Sequence, residues 1–199
     1  ASATRHNPLR PDKPLIVVMP DAAAQPIAGT PSHPAARRNI GLTAIVGNKL
    51  TSGMPRGQYS PTTPIGAQAA TAPYGHIEQP FPIAELSVAA GAAFVARSTV
   101  YHVQELENYI AQAITKDGFA VVEAVSYCHT TIGRINRWGT APDMMRALKE
   151  RSVTLKRAQG MSEEEKQDKI VRGVFVDRDI PEYTRLYGRI IEQAQREAA

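Results

Sequence analysis

Short apolar runs rich in β-branched residues alternate with amphipathic segments along this 199-residue chain, which restricts its fold more than any other feature. Leu15 to Met19, Leu42 to Val46 and Phe119 to Val125 are such runs. Runs of this kind are typical of parallel strands that are covered on both faces. Leu106 to Ile114 has apolar residues at helical spacing. The sequence therefore predicts an α/β fold, in which a parallel sheet has helices on both faces and right-handed crossovers.

Weaker patterns fit the same plan. Ala35 to Arg38 predicts a short helix, and Ile83 to Ala90 predicts a helix that Gly91 ends. Phe94 to Arg97 predicts one more strand.

We expect two regions, an α/β domain of residues 1–140 and a mostly helical tail of residues 141–199. Within the tail, Ser162 begins a capping-box pattern, Val171 to Val176 predicts a short strand, and Pro181 opens the last helix. One face of that helix is apolar and should pack on the core or on another subunit. Its residues are Tyr183, Leu186, Tyr187, Ile190 and Ile191.

Composition excludes several functional classes. The net charge is +4 and the pI is near 9.3, but acidic residues are interleaved with the basic ones, so we expect no nucleic-acid binding. The only local basic concentration lies between Arg146 and Arg157, where a solvated helix face explains it at least as well as phosphate binding. No apolar run approaches the roughly 20 residues of a membrane span. The segment Ala1 to His6 lacks the apolar core of a signal peptide, so we expect a cytoplasmic protein.

A polar loop is the best candidate for function. Thirteen of the 15 prolines lie at or before Pro82, and Arg56 to Pro64 combines prolines with glycine, hydroxyl groups and an amide. Such a loop, placed after a hydrophobic strand, is suited to a polar ligand. Ligands of parallel α/β sheets bind beyond the carboxyl ends of the strands, where Asp21 and Asn48 are expected.

Three segments carry a family resemblance: Gln58 to Pro64, Thr71 to Gly75 and Cys128 to Arg134. Together they resemble the β subunit of 2-oxoacid:ferredoxin oxidoreductases, in particular the 2-oxoglutarate branch. The resemblance implies a thiamine-diphosphate-binding fold, with thiamine diphosphate, Mg²⁺ and a [4Fe-4S] cluster as cofactors. It also implies that a cluster-binding segment of the family is missing before Ala1.

The resemblance places the magnesium ligands. They are an aspartate after one strand, an asparagine after the next, and a backbone carbonyl two residues further on. Asp21 takes the first position with Ala22 beside it, while Lys49 stands at the second and Thr51 at the third. A protonated ammonium cannot coordinate a cation, so either Asn48 replaces Lys49, or Lys49 binds phosphate, or the site is damaged. By position alone, Asp21 would be an ordinary polar loop residue.

The same resemblance places the cofactor loop beneath the thiazolium ring, at Gly53, Met54, Gly57 and Gln58. Arg56 could pair with a substrate carboxylate through a bidentate fork, or it could be an exposed surface arginine. Met54 is better explained as a packing residue.

Cys128 is the chain's one cysteine, which excludes an internal disulfide and a complete cysteine-ligated cluster. The resemblance makes it the last of four cluster thiolates. Without the resemblance, a lone cysteine after a strand is usually a small buried hydrophobic residue.

The resemblance implies an activity, the oxidative decarboxylation of a 2-oxoacid, 2-oxoglutarate, to acyl-CoA and CO₂. Electrons would pass through the cluster to ferredoxin, and coenzyme A would be a co-substrate. The chain should be active only with its α subunit, as αβ or (αβ)₂. Two alternatives stay open: a non-oxidative thiamine-diphosphate decarboxylase or synthase, and a non-catalytic partner-binding subunit with a degenerate site. Pro20, Ala22 and Lys49 favour the second, because they replace the family's residues there.

Overall fold

A computed structural model describes residues 15–21, 32–52 and 57–198, and its described strands form one six-stranded sheet. The strands are β1 (Leu15–Pro20), β2 (Leu42–Asn48), β3 (Phe94–Thr99), β4 (Phe119–Val125), β5 (Ser152–Thr154) and β6 (Ile170–Asp177). Their order is β1-β2-β4-β3-β6-β5. The first four strands are mutually parallel, which confirms the predicted parallel α/β sheet.

The sheet is mixed rather than wholly parallel, because β6 runs antiparallel to β3. To add a parallel strand, the chain must cross back to the end of the sheet at which the previous strand began. Gly173, near the start of β6, pairs with Arg97, and Asp177 at its end pairs with Phe94, the first residue of β3. The chain therefore enters β6 beside the carboxyl half of β3 and runs back along it.

Helices cover both faces of the sheet, as the sequence predicts. They are α1 (Ser32–Arg38), α2 (Ile83–Ala89), α3 (Val103–Thr115), α4 (Ala141–Arg151), α5 (Leu155–Ala158), α6 (Glu163–Lys166) and α7 (Tyr183–Glu197), with one π-helical turn at His129–Gly133. Among the described residues, no helix combines the length and apolar character needed to cross a bilayer.

The core is divided between the two faces by the alternation of side chains along β4. Val121 packs in a cluster that includes residues of α1 and α2, whereas Val122 packs in a second cluster against α3. Both side chains are almost completely buried. Because successive strand residues point to opposite faces, this single strand anchors both helical layers.

The register of the parallel strands brings their carboxyl ends to one edge. Pro20 pairs with Gly47, and Asn48 pairs with Val125. Asp21 and Asn48 therefore lie at the same edge as the segment that leads from β4 to Cys128, where α/β sheets bind ligands.

The last helix, α7, does not bury its apolar face against the described part of the chain. Its Tyr183, Leu186, Tyr187, Ile190 and Ile191 keep 39% to 61% of their surface exposed. The expectation that this face packs on the core is therefore wrong for the described residues. Packing on another subunit stays a prediction, as does the division into residues 1–140 and 141–199.

Asn39 joins the start of α7 to the sheet. Its side chain donates to the carbonyls of Ile180 (2.9 Å) and Pro181 (3.1 Å) and accepts from the amide of Phe119 (2.9 Å). It adopts φ 51°, a left-handed conformation that asparagine tolerates better than most residues. Gly118 packs on it so closely that a β-carbon there would lie 2.1 Å from Asn39 Oδ1. This junction fixes the tail to the end of α1.

We predict that Asn39→Ala lowers the free energy of unfolding by about 2 to 4 kcal/mol, because three backbone groups, of which the Phe119 amide is buried, lose their partner and alanine disfavours positive φ. Urea denaturation followed by circular dichroism would measure it. Asn108→Ala, at an exposed position of α3, is the matched control and should change stability by less than about 0.5 kcal/mol. Equal losses in both variants would contradict the role given to Asn39.

Candidate functional site

A buried cluster of oxygen atoms lies where β1 and β2 end. Asp21 is completely buried, and its Oδ2 accepts from Ser60 Oγ (2.6 Å) and Thr62 Oγ1 (2.7 Å). Thr62 Oγ1 also lies 2.9 Å from Asn48 Oδ1. The strand ends supply Asp21 and Asn48, and the polar loop supplies the two hydroxyl groups. The structure thus brings together residues that are 39 and 41 positions apart in the chain.

The cluster has more acceptors than protons. Thr62 has one hydroxyl proton and cannot donate to Asp21 and Asn48 at the same time. Asp21 Oδ1 is buried and has no hydrogen-bond partner among the described residues. A buried acceptor without a partner is costly, and it indicates that something else satisfies it.

The orientation of the Asn48 amide follows from its second partner. Asn48 Nδ2 donates to Glu123 Oε1 at 2.8 Å, so Asn48 Oδ1 must point into the oxygen cluster. Oδ1 also accepts from the amide of Leu50 at 3.1 Å. Asn48 therefore presents an oxygen to the cluster rather than an N–H.

Glu123 is held in turn by a buried arginine. Arg97 Nε donates to Glu123 Oε2 at 2.7 Å, and its two terminal nitrogens donate to the Glu85 carboxylate at 3.0 and 2.6 Å. Burial, the largest single influence on the guanidinium, would lower its pKa, but the two carboxylates outweigh burial and raise the pKa of Arg97. The pairing neutralises a carboxylate that lies inside the sheet.

The polar loop is tied to the end of β2 by short hydrogen bonds. Thr51 is completely buried and donates to the carbonyl of Gln58 (2.9 Å), and the amide of Ser52 donates to the same carbonyl (3.0 Å). Thr63 Oγ1 donates to the carbonyl of Leu50 at 2.8 Å. The backbone of Leu50 has a positive φ of 60°. These bonds hold Ser60 and Thr62 against Asp21.

Gly57 brings the same loop against the segment that contains the cysteine. It has φ 77°, and a β-carbon at this position would lie 1.9 Å from Thr131 Cγ2. Only glycine allows this approach. The loop and the π-helical turn after Cys128 are therefore direct neighbours.

Cys128 is half-buried, and its sulfur is surrounded by hydroxyl groups. Sγ lies 3.3 Å from Thr130 Oγ1 and 3.4 Å from Thr131 Oγ1. Burial, the largest single influence, would raise the pKa of the thiol, but hydrogen bonds with the side chains and backbone of Thr130 and Thr131 outweigh it and lower the pKa of Cys128. A lowered pKa increases the fraction of Cys128 that is thiolate, the form that binds metal.

A cleft of about 440 Å³ opens beside the polar loop. Its wall includes Gln58 and Tyr59 from the loop and Thr71 from the second segment of the resemblance. The other lining residues are Pro61, Glu78, Gln79 and Phe81. Polar ligands that reach the loop from this side would meet amide, hydroxyl and carboxylate groups.

The structure brings some of the sequence-predicted residues together, and others lie outside its described residues. Asp21 and Asn48 meet in the oxygen cluster, whereas Lys49 is half-buried and makes no ion pair within the described residues. Thr51 and Gln58 hydrogen-bond each other, and Gly57 contacts the cysteine segment. Four further predicted residues lie outside the described residues: Ala22, Gly53, Met54 and Arg56.

The oxygen cluster fits a hard divalent cation better than a soft one. Magnesium prefers carboxylate, amide and carbonyl oxygens, and the Asp21 carboxylate has a buried Oδ1 without a partner. No three His, Cys, Asp or Glu side chains converge anywhere in the described ranges, so the cluster offers Asp21 together with amide and hydroxyl oxygens. A bound cation would satisfy both Asp21 Oδ1 and the surplus of acceptors around it.

Sequence reasoning missed four residues of this site. Ser60 and Thr62 belong to the motif that carries the resemblance, but their bonds to Asp21 were not foreseen. Arg97 and Glu123 interrupt the apolar patterns of β3 and β4, and a charge inside a buried strand is the signal that could have revealed their pairing.

Comparison with known proteins identifies the family of the fold. Residues 1–124 match the family model described as the thiamine pyrophosphate enzyme, C-terminal TPP binding domain. The fold matches a solved 2-oxoglutarate:ferredoxin oxidoreductase from Magnetococcus marinus with a TM-score of 0.80 and 23% identity, over 94% of this chain and 64% of that one.

Two relatives are similar over almost the whole chain. The 2-oxoglutarate synthase subunit KorB of Methanocaldococcus jannaschii is 43% identical over 99% of this chain and 73% of its own length. That of Methanothermobacter marburgensis is 41% identical over 98% of this chain and 68% of its own length. The chain therefore belongs to the KorB family, the β subunits of thiamine-diphosphate-dependent 2-oxoglutarate:ferredoxin oxidoreductases.

Proposed function

We propose that this chain holds magnesium and thiamine diphosphate for the oxidative decarboxylation of a 2-oxoacid, and that the 2-oxoacid is 2-oxoglutarate. Thiamine diphosphate, when bound, supplies the carbon nucleophile that this decarboxylation requires. The buried, unpartnered Oδ1 of Asp21 is the observation that carries the proposal. The chain's own residues bind, orient and shield the cofactor.

Asp21 and Asn48 are the proposed side-chain ligands of magnesium, with the backbone carbonyl of Thr51 as a third ligand. The orientation of the Asn48 amide supports Asn48 over Lys49, because Asn48 Oδ1 already faces the Asp21 cluster. Lys49 then remains available for phosphate. An assembled cluster also argues against a degenerate, non-catalytic site.

Residues near the diphosphate and thiazolium complete the proposed cofactor site. Ala22, Gly53 and Met54 come from the resemblance alone, while Gly57 and Gln58 lie on the loop that is pinned to β2. Arg56 is the first residue of this loop in the sequence and is the proposed partner of a substrate carboxylate, which a guanidinium can bind with two hydrogen bonds.

Cys128 is the proposed ligand of a [4Fe-4S] cluster whose other thiolates lie outside this sequence. Its lowered pKa supports this role, as does the close approach of Gly57 to Thr131, three residues after Cys128. A cluster beside the cofactor could receive electrons without a long transfer step.

The proposed partners are an α subunit, a ferredoxin and coenzyme A. Names of relatives support the first two, since 2-oxoacid:ferredoxin oxidoreductase subunit beta of Saccharolobus solfataricus is 35% identical over 48% of this chain. The solved Magnetococcus marinus enzyme has coenzyme A and succinyl-CoA bound. An αβ or (αβ)₂ assembly and a cytoplasmic location stay predictions. The oxidoreductase names give the non-oxidative alternative less support.

Asp21→Asn should weaken Mg²⁺-dependent binding of thiamine diphosphate by more than about 100-fold. Loss of a group that only orients a metal ligand lowers metal affinity by about 10- to 100-fold, and loss of the ligand itself should lower it further. Isothermal titration calorimetry on the complex with its partner subunit measures this affinity. Asp117→Asn, which removes an exposed carboxylate paired with Arg185, is the matched control and should bind normally. Normal binding by Asp21→Asn would refute the proposed site.

Cys128→Ser should remove iron and the visible absorption near 400 nm from the purified complex, because serine replaces one of the four thiolates that such a cluster needs. Thiamine diphosphate should still bind, since Asp21 and Asn48 are untouched. Iron analysis and a cofactor assay after denaturation separate the two results. Unchanged iron content would exclude Cys128 as a ligand.

Thr131→Val should raise the pKa of Cys128, because valine keeps the methyl group against Gly57 but loses the hydroxyl whose hydrogen bond with Sγ lowers that pKa. In protein without the cluster, the pH profile of alkylation by iodoacetamide should therefore move to higher pH. The exposed Thr184→Val, far along the chain on α7, serves as control. A profile that does not move would contradict the effect assigned to the Thr131 hydroxyl.

A further inference from the structure

A continuous chain of polar contacts runs from the surface of α2 to the oxygen cluster. Glu85 on α2 accepts two hydrogen bonds from Arg97, and Arg97 Nε donates to Glu123 Oε2 at 2.7 Å. Glu123 Oε1 then accepts from Asn48 Nδ2 at 2.8 Å. The Glu85 side chain, at the outer end of these contacts, is about half exposed, whereas only 3% of the Glu123 side-chain surface is exposed.

Each contact in this chain has a fixed direction. A guanidinium can only donate and an ionised carboxylate can only accept, so Arg97 and Glu123 can pair in only one sense. The remaining Glu123 oxygen must accept, and the Asn48 group that faces it must be the N–H₂ group. The Asn48 oxygen is then the atom that faces Thr62 and Asp21.

We propose that Glu123, paired with Arg97, is a positioning residue that selects the amide orientation of Asn48 and so presents an oxygen to the metal. This inference rests on the proposed function, because it assigns these residues to the magnesium site proposed above. Neither residue is a proposed ligand of the metal, and both act through Asn48.

The cost of such an arrangement supports a positioning role. A carboxylate inside a sheet loses its hydration, and an ion pair at such a site is often no more stabilising than apolar side chains of the same size. Val122, the neighbour of Glu123 in β4, fills its own position with an apolar side chain that is fully buried. An apolar residue in place of Glu123 could fill the space, but it would leave the Asn48 amide free to rotate.

Glu123→Gln tests the proposal because a carboxylate can only accept hydrogen bonds, whereas an amide can donate or accept, so the hydrogen bonds to Arg97 and Asn48 no longer have a fixed direction. If the introduced glutamine turns its amide oxygen toward Asn48, its N–H₂ group is set against Arg97. If it turns its N–H₂ group toward Asn48, the N–H₂ group of Asn48 must rotate toward the metal. Mg²⁺ affinity in the presence of thiamine diphosphate should fall by about 10- to 100-fold, the usual effect of losing a group that orients a ligand. Calorimetric titration of Mg²⁺ into the complex with its partner subunit measures this without any assay of activity.

The double variant Asn48→Asp, Glu123→Gln should recover most of the lost affinity. The introduced glutamine can then donate through its Nε2 to one oxygen of the introduced aspartate, while its Oε1 accepts from Arg97. The second oxygen of that aspartate faces the metal, and the net charge equals that of the wild type. Asn48→Asp alone should fold less stably, because it sets two carboxylates against each other.

Glu105→Gln is the matched control for a purely structural effect. Glu105 also pairs with an arginine, Arg172, and accepts a hydrogen bond from Tyr109 at 2.6 Å, but it does not contact Asn48. Its variant should bind Mg²⁺ as the wild type does, whatever its loss of thermal stability.

The outcomes separate the two proposals. A wild-type complex that binds no thiamine diphosphate with Mg²⁺ would refute the proposed function itself. Wild-type binding together with unchanged affinity in Glu123→Gln would refute the positioning role alone. So would a double variant that loses as much affinity as the sum of its single changes, since a restored hydrogen-bond direction predicts the opposite.

Discussion

The site depends on one electrostatic constraint, the burial of the Asp21 carboxylate among acceptors that outnumber the available protons. Ser60 and Thr62 each bring one hydroxyl proton, and both lie within hydrogen-bond distance of the same carboxylate oxygen. The other oxygen has no partner in the described residues. A protein interior tolerates such an arrangement only when a further positive group completes it, and a hard cation is the group whose ligand preference matches the oxygens present.

The rest of the described structure can be understood as what holds that cluster in place. Parallel pairing of β1 with β2 brings Asp21 to Asn48, and hydrogen bonds from Thr51 and Thr63 hold the polar loop against both. The contact between Gly57 and Thr131 then sets the distance between this loop and Cys128. Cofactor loop and cysteine are therefore positioned by backbone geometry rather than by long flexible side chains, which suits an enzyme that must keep reacting groups in fixed relative positions.

Much of this fold could be predicted from sequence, because the apolar runs in the sequence coincide with the buried residues of β2, β3 and β4. The apolar runs at Leu42, Phe94 and Phe119 begin these strands as expected, and Gly91 and Gly118 lie beyond helix ends with positive φ. The direction of β6 could not be predicted, since Val171 to Val176 carries the same pattern whichever way it pairs. Likewise, the apolar stripe on α7 indicates that something covers it without indicating what.

The site divides in the same way. Family resemblance gave Asp21 and Cys128 as candidates, but the residues proposed to orient Asn48 come from three separate elements, which no local pattern connects. Glu123 and Arg97 each appear as single charges in apolar strands, and only the register of β3 with β4, which pairs these two residues directly, brings them together. Long-range pairing of this kind is a property of the fold, not of any segment.

Substitution of Mn²⁺ for Mg²⁺ gives the most direct test of the central claim, because anomalous X-ray scattering locates manganese without reference to activity. For crystals of the complex grown with thiamine diphosphate and Mn²⁺, the anomalous difference map should show a peak within coordination distance of Asp21 Oδ1 and Asn48 Oδ1. Thiamine diphosphate bound in the crystal with manganese elsewhere, or with no ion beside Asp21, would contradict the claim.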